Sequence, residues 1–159
     1  MKKINKILAT IFGLIYICLI IFFFKKCLET GDKSSNSSLY VARFVQSILN
    51  NLFGQHIELD DQFLHIIRKL IGHFGFNLVL GITSIIFYIN LCIKKLYTIL
   101  LHYGVGFLIA FISEFLLEGI TSGRSASFND VLIDYAGFLS ISTIIVLIYY
   151  MKKMLVNEG

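Results

Sequence analysis

The sequence predicts an all-α membrane protein: four transmembrane helices, with an amphipathic helix in the first external loop, all within one domain over residues 1–159. Three observations carry this. Of the residues, 57% are hydrophobic and 15% charged, and the mean hydropathy is +0.79; a soluble domain covers itself with about a quarter charged residues. Four apolar segments, near 7–24, 70–93, 96–117 and 131–151, approach or exceed the roughly 20 helical residues that a hydrocarbon core about 30 Å thick requires. Lysines stand in pairs beside these segments, at Lys2/Lys3, Lys25/Lys26, Lys94/Lys95 and Lys152/Lys153, where helices leave a bilayer.

The first segment has the basic start of a signal peptide. Its apolar run of 18 residues exceeds the usual h-region, and no A-x-A-like site follows, so an uncleaved anchor is expected. Residues 25–69 form a loop too long for a bare connection. Within it SLYVARFVQSILNNLFG places Val41, Phe44, Val45, Ile48, Leu49, Leu52 and Phe53 at helical spacing. The expected helix covers about 38–53, with Ser38 as start cap and Gly54 as stop. It either lies in the outer membrane interface or packs over the external ends of the spans. DDQFLHIIRKLIGHFG continues as a helix from near Asp60 straight into the second span. In the third span Gly104, Gly106 and Ala110 are expected to permit close helix contact.

Short-loop charge sets the direction. The turn between the second and third spans holds Lys94 and Lys95 and no acid, whereas the 118–130 loop holds Arg124 against several acids. The turn is therefore expected in the cytoplasm and the loop outside, giving a multi-pass cell-membrane protein with both termini cytoplasmic. The lysines flanking the first span, three before it and two after, agree. The net charge of +4 follows from these flanks and not from a nucleic-acid surface, for which no soluble face exists. Cys18, Cys27 and Cys92 lack paired or ligand spacing and read as small apolar residues.

Ionisable residues gather in an otherwise apolar chain. Helix positions four apart share a face. Lys69, His73 and Asn77 form such a stripe in the second span, with Arg68 beside it; Glu114 and Glu118 form another, with Ser113 adjacent; Asp130 and Asp134 form a third, just after Arg124. The directions of the spans bring all three stripes within about two turns of the same external boundary, where they are expected to converge. An unpaired charge in hydrocarbon costs at least about 2.5–3.5 kcal/mol, so such groups face inward and find partners. Arg124, with its planar fork, is the counter-charge available to Glu114, Asp130 or Asp134. Any of these residues taken singly also fits a bland role: a solvated loop charge, a helix cap or a packing histidine.

No H-E-x-x-H, G-x-S-x-G or P-loop occurs. One histidine among scattered carboxylates lacks metal-ligand spacing, so no metal or other cofactor is predicted. The segments RKLIGHFGFNLVLG (68–81) and SEFLLEGITSGRSASFNDVLIDYAGFLS (113–140) resemble the VanZ-like family of small bacterial membrane proteins. The matching positions are Lys69, His73 and Phe74, then Glu114, Gly123, Arg124, Asp130, Val131, Leu132, Asp134 and Gly137. Glu118 stands where the family has a glutamine, Ser122 replaces a proline, and Phe76 and Asn77 replace an aromatic or acidic pair. The resemblance implies a Gram-positive protein associated with tolerance to the glycopeptide teicoplanin or with envelope maintenance, of undefined biochemical activity. Three readings follow. The cluster binds membrane lipid, a lipophilic glycopeptide or a lipid-linked cell-wall precursor; or it catalyses a reaction on such a lipid, with His73 as general acid or base and Arg124 on the phosphate; or it is a salt-bridge network in an accessory subunit. Assembly with a second copy stays open.

Overall fold

A computed structural model describes residues 3–54, 58–91 and 93–157; Lys2 and Cys92 lie outside the described residues. Its elements are α1 (Lys3–Cys27), α2 (Gly31–Phe53), α3 (Asp61–Asn90), α4 (Lys95–Ile120) and α5 (Phe128–Asn157), with no strand among the described residues. α1, α3, α4 and α5 are each long and apolar enough to cross a membrane. The protein is an all-α membrane protein of four spans. The spans outrun the apolar segments because polar residues at their ends remain helical. α3, for instance, begins where the Asp60 carboxylate accepts the Phe63 amide at 2.7 Å, satisfying one of the orphan donors of a helix start.

α3 and α5 form the central pair, α1 packs along the outer side of α3, and α4 bridges α3 and α5. Lipid supplies no hydrophobic drive between helices, so close packing of small residues must hold them together. That packing is visible at the α3–α5 crossing. Gly81 lies against the backbone carbonyl of Phe138, and Gly137 lies against the backbone carbonyl of Phe74. A side chain at either glycine would meet peptide backbone, which cannot swing aside. Gly106 of α4 accommodates the ring of the same Phe138, and Ala110 is buried as expected. Gly104 differs from expectation: its missing side chain would point into open space, two residues out of phase with the packed face.

A second polar layer joins three spans deeper in the bundle. His102 is fully buried, with Ser84 Oγ 3.1 Å from Nδ1 and Ser142 Oγ 3.0 Å from Nε2. The Ser142 hydroxyl proton goes to the Phe138 carbonyl, so Ser142 accepts from Nε2–H and Nδ1 accepts from Ser84. This fixes one neutral tautomer and leaves no member of the layer unsatisfied. Stacking of the imidazole on Phe138, at 4.8 Å between centroids, ties the layer to the apolar core of Tyr16, Phe23, Leu80 and Ile109.

α2 starts earlier than its apolar periodicity implies. Its first residue is Gly31, and Ser38, expected as the cap, lies inside the helix with its hydroxyl on the Ser34 carbonyl at 3.0 Å. The reason is tertiary: the Gly31 amide bonds the Ser122 carbonyl at 3.0 Å, and the glycine lets α2 approach the backbone of Gly123. The stop is as expected, with Gly54 in the left-handed conformation (φ 63°) and its amide on the Asn50 carbonyl. Of α2 only Ala42 is fully buried, while Tyr40, Phe44, Ile48, Leu52 and Phe53 are exposed, the layout of a helix whose apolar face meets lipid.

Gly137→Val is expected to lower the unfolding free energy by about 1–3 kcal/mol through overpacking. Gly104→Ala, introduced into open space, is expected to leave the protein at least as stable. Thermal unfolding in detergent distinguishes the two; equal stability of both variants contradicts the crossing described here.

Candidate functional site

Two of the spans depart from α geometry, and both departures carry site residues. In α3 the stretch Arg68–Gly75 is wound as a π-helix, with the Phe76 amide reaching back five residues to the Ile71 carbonyl. In α4, Ile112–Leu117 is wound the same way, the Glu118 amide reaching Ser113, before a tight 3₁₀ turn over Glu118–Ile120. Such wide turns are rare and concentrate at functional positions. Here one holds His73 and the other holds Ser113 and Glu114. Asn77, the innermost residue of the α3 stripe, gives its amide to the His73 carbonyl at 3.0 Å. It therefore supports the backbone at the π–α junction and does not join the charged cluster.

The centre of the site is His73 between two carboxylates from two other spans. Nδ1 lies 3.1 Å from Asp134 Oδ1 and 3.7 Å from Glu114 Oε1. Asp134 and Glu114 are fully buried and His73 nearly so. The Ser127 amide donates to Glu114 Oε2 at 3.3 Å, and the Ser113 hydroxyl, bonded to the Ala110 carbonyl at 2.8 Å, lies 3.5 Å from Asp134 Oδ2. Glu114 Oε1 has no hydrogen-bond partner. Among the described residues this is the cluster whose His and carboxylate atoms all lie within 4.8 Å of one another.

Around this centre four further charges form two ion pairs. Arg124 pairs with Glu118, both side chains buried, so its partner is not Glu114, Asp130 or Asp134. Its Nη1 also donates to the Lys26 and Cys27 carbonyls at 3.2 and 3.4 Å. Arg124 thus closes the C-terminus of α1, where orphan carbonyls and the negative end of the dipole favour a cation. Gly123 makes this possible: its φ of 75° turns the chain back over α1 in a conformation that side-chain-bearing residues rarely adopt. Lys69 and Asp130 form a rim pair at 3.3 Å. The three stripes do converge at one end of the bundle, but as a central triad and two flanking ion pairs.

A cavity of about 270 Å³ opens beside the triad. Its lining mixes polar groups, among them Lys26, Glu29, Arg68, His73, Glu118, Arg124 and the α2 serines Ser34, Ser37 and Ser38, with the apolar Phe22, Phe23, Val41, Ile67, Ile71 and Phe76. Lys26 is neutralised by Glu29 at 3.1 Å, whereas Arg68 has no hydrogen bond or ion pair among the described residues. Sequence periodicity found neither the α2 serines nor the end of α1, which contribute through tertiary contact; the run of Ser34, Ser35, Ser37 and Ser38 was the one available signal. The sequence signalled Arg68 only as a neighbour of the Lys69 stripe.

No family model, curated protein or solved structure matches this chain.

Replacing Arg124 with Met should destabilise the protein by about 3–5 kcal/mol, because Glu118 is left buried without its cation. Arg124→Lys should recover only part of this, since an ammonium lacks the fork that spans Glu118 and the α1 carbonyls. Thermal unfolding and protease cleavage within 118–128 report both; wild-type behaviour of Arg124→Met counts against the latch.

Proposed function

We propose that this protein is a membrane protein of the VanZ-like type that binds an anionic amphiphile, a lipid or lipid-linked envelope compound, at the outer leaflet. The observation that carries this reading is the mixed apolar and polar lining of the cavity. An amphiphile needs apolar surface for its chain and cationic or hydroxyl donors for its head, and here Phe22, Phe23, Phe76 and Ile71 share one cavity with Arg68 and the α2 serines. Arg68, without an ion pair among the described residues, is the group suited to a phosphate or carboxylate head. The same cavity argues against a purely structural salt-bridge network, which would have no need of an opening lined by a cation without an ion pair.

The resemblance at Lys69, His73, Phe74, Glu114, Gly123, Arg124, Asp130, Asp134 and Gly137 supports the family and, with it, tolerance to lipophilic glycopeptides as the cellular effect. The basic turn at Lys94 and Lys95 supports a cytoplasmic location for the termini and an outward site in a Gram-positive cell membrane. A second reading, an intramembrane enzyme acting on a phospholipid or lipid-linked precursor, is favoured by one specific feature. His73 lines the cavity while Asp134 holds its Nδ1, the arrangement in which a carboxylate orients an imidazole for acid–base work.

Gly72 offers a direct test, because it lines the cavity and a Cβ there would meet nothing closer than Arg68 Cγ, at 4.0 Å. Gly72→Phe is expected to fold normally and to abolish capture of short-chain phosphatidylglycerol by the purified protein. Arg68→Ala is expected to weaken it about tenfold, the loss of one charge-assisted bond. In a Gram-positive host the wild type should raise teicoplanin tolerance and both variants should lose it at equal membrane abundance. Unchanged lipid capture by Gly72→Phe overturns the cavity reading, and no effect of the wild type overturns the glycopeptide one. A lipid product that disappears with His73→Gln while capture persists would establish the enzyme.

A further inference from the structure

The two carboxylates facing His73 are held in the same lopsided way. Glu114 receives the Ser127 amide on Oε2 at 3.3 Å, and Asp134 has the Ser113 hydroxyl near Oδ2 at 3.5 Å. Each therefore turns its other oxygen toward the imidazole. Nδ1 can carry one proton, and Asp134 Oδ1 at 3.1 Å is the nearer acceptor. At 3.7 Å Glu114 Oε1 is beyond hydrogen-bond reach of the same nitrogen. So a fully buried carboxylate oxygen is aimed into the cluster with no partner. The nearby cations do not supply one: Arg124 is committed to Glu118 and Lys69 to Asp130, and among the described residues Arg68 makes no ion pair with either carboxylate. Two carboxylates and one imidazole inside an apolar span are short of positive charge even when the imidazole is protonated, and low-dielectric surroundings make such an imbalance costly.

We propose that His73, Glu114 and Asp134 bind a divalent transition-metal ion through Nδ1, Oε1 and Oδ1, with Zn²⁺ the ion this donor set fits best. An ion at about 2.0–2.2 Å from nitrogen and oxygen ligands places neighbouring ligand atoms roughly 3–3.5 Å apart. Of the two separations measured from Nδ1, 3.1 Å falls within that range and 3.7 Å lies just above it, and all three atoms already lie within 4.8 Å of one another. A charge of +2 balances the two carboxylates with the imidazole neutral. An imidazole among the donors favours a first-row transition ion over Mg²⁺ or Ca²⁺, which prefer oxygen alone. The Ser127 amide on the far oxygen of Glu114 orients that ligand, as outer partners do in metal centres. Linear spacing conceals the set because its three members come from α3, α4 and α5, and the π turns aim two of them.

Three protein ligands leave a position open, the pattern of catalytic and not of structural zinc sites. His73 is also part of the cavity wall, so the anionic head of a bound amphiphile would be the group at hand for that position. This last step rests on the amphiphile reading above; the metal site does not.

The test uses the full chain in detergent, stripped with a chelator, dialysed and titrated with Zn²⁺ alone, with no lipid added beyond the detergent. The wild type is expected to bind one equivalent saturably, with micromolar or tighter affinity, and to unfold at a higher temperature when loaded. Glu114→Gln, which keeps the shape and removes the orphan charge, should bind at least about 100-fold more weakly. Glu58→Gln, the same change at an exposed position, should bind like the wild type. Absence of saturable one-to-one binding, or wild-type affinity in Glu114→Gln, overturns the proposal. If Glu114→Gln does not fold, X-ray absorption at the zinc edge of the loaded wild type decides. One imidazole with oxygen ligands supports the site, and a sulfur ligand or an all-oxygen shell overturns it. Because the titration contains no amphiphile, its failure is separable from failure of the cavity reading, which Gly72→Phe tests.

Discussion

Gly137 lying on the peptide carbonyl of Phe74 is the contact on which the rest of the structure depends. His73 immediately precedes Phe74, and Asp134 lies about one turn before Gly137, so the distance between the two backbones also sets the 3.1 Å between imidazole and carboxylate. Further into the bundle Gly81 repeats the arrangement on Phe138. Phe138 in turn carries the His102 layer and fills the space left by Gly106. One helix crossing, stripped of side chains at its tightest points, thus holds both polar layers in register. In lipid, where apolar contact between helices gains little over contact with acyl chains, such backbone proximity with satisfied hydrogen bonds is what specifies a unique bundle.

The two polar layers show opposite solutions to the same electrostatic problem. Around His102 the imidazole and its two serines satisfy one another, and the imidazole is held in one neutral form. Around His73 the accounts do not close: an oxygen of Glu114 is orphaned and a cavity lies alongside. Two histidines buried in the same bundle therefore divide into a clasp and a site, and hydrogen-bond satisfaction is what distinguishes them. The flanking pairs, Arg124 with Glu118 and Lys69 with Asp130, commit two of the nearby cations and leave Arg68 as a cation lining the cavity without an ion pair among the described residues.

Much of this was legible in the residues. Apolar runs of near-span length, with lysines beside them, predict four crossing helices, and i, i+4 spacing places Lys69/His73, Glu114/Glu118 and Asp130/Asp134 on common faces. Those faces do meet at one end. What the spacing could not supply was partnership. Arg124 has several carboxylates within reach in sequence, and its choice of Glu118 depends on Gly123 and on the exposed carbonyls of α1, which lie 97 and 98 residues earlier. The π turns were equally hidden, since an i→i+5 bond leaves no periodic mark when only one or two turns adopt it. Ser38 looks like a cap by composition, yet the helix begins at Gly31 because that residue alone fits beside Gly123. Asn77, read with the charged stripe, proved to serve the backbone.

The Arg124 latch also has a meaning for how the chain is made. Its guanidinium closes carbonyls near residue 26 from a position almost a hundred residues later, so during synthesis α1 enters the bilayer long before anything can cover its trailing end. Until the 121–124 turn emerges, that end must stay hydrated or rest against the insertion machinery. The same event docks Gly31 onto the turn and so starts α2, which makes up one wall of the cavity. Closure of this side of the cavity therefore waits for the 121–124 turn, and a chain that ends before it leaves the α1 carbonyls without their cation.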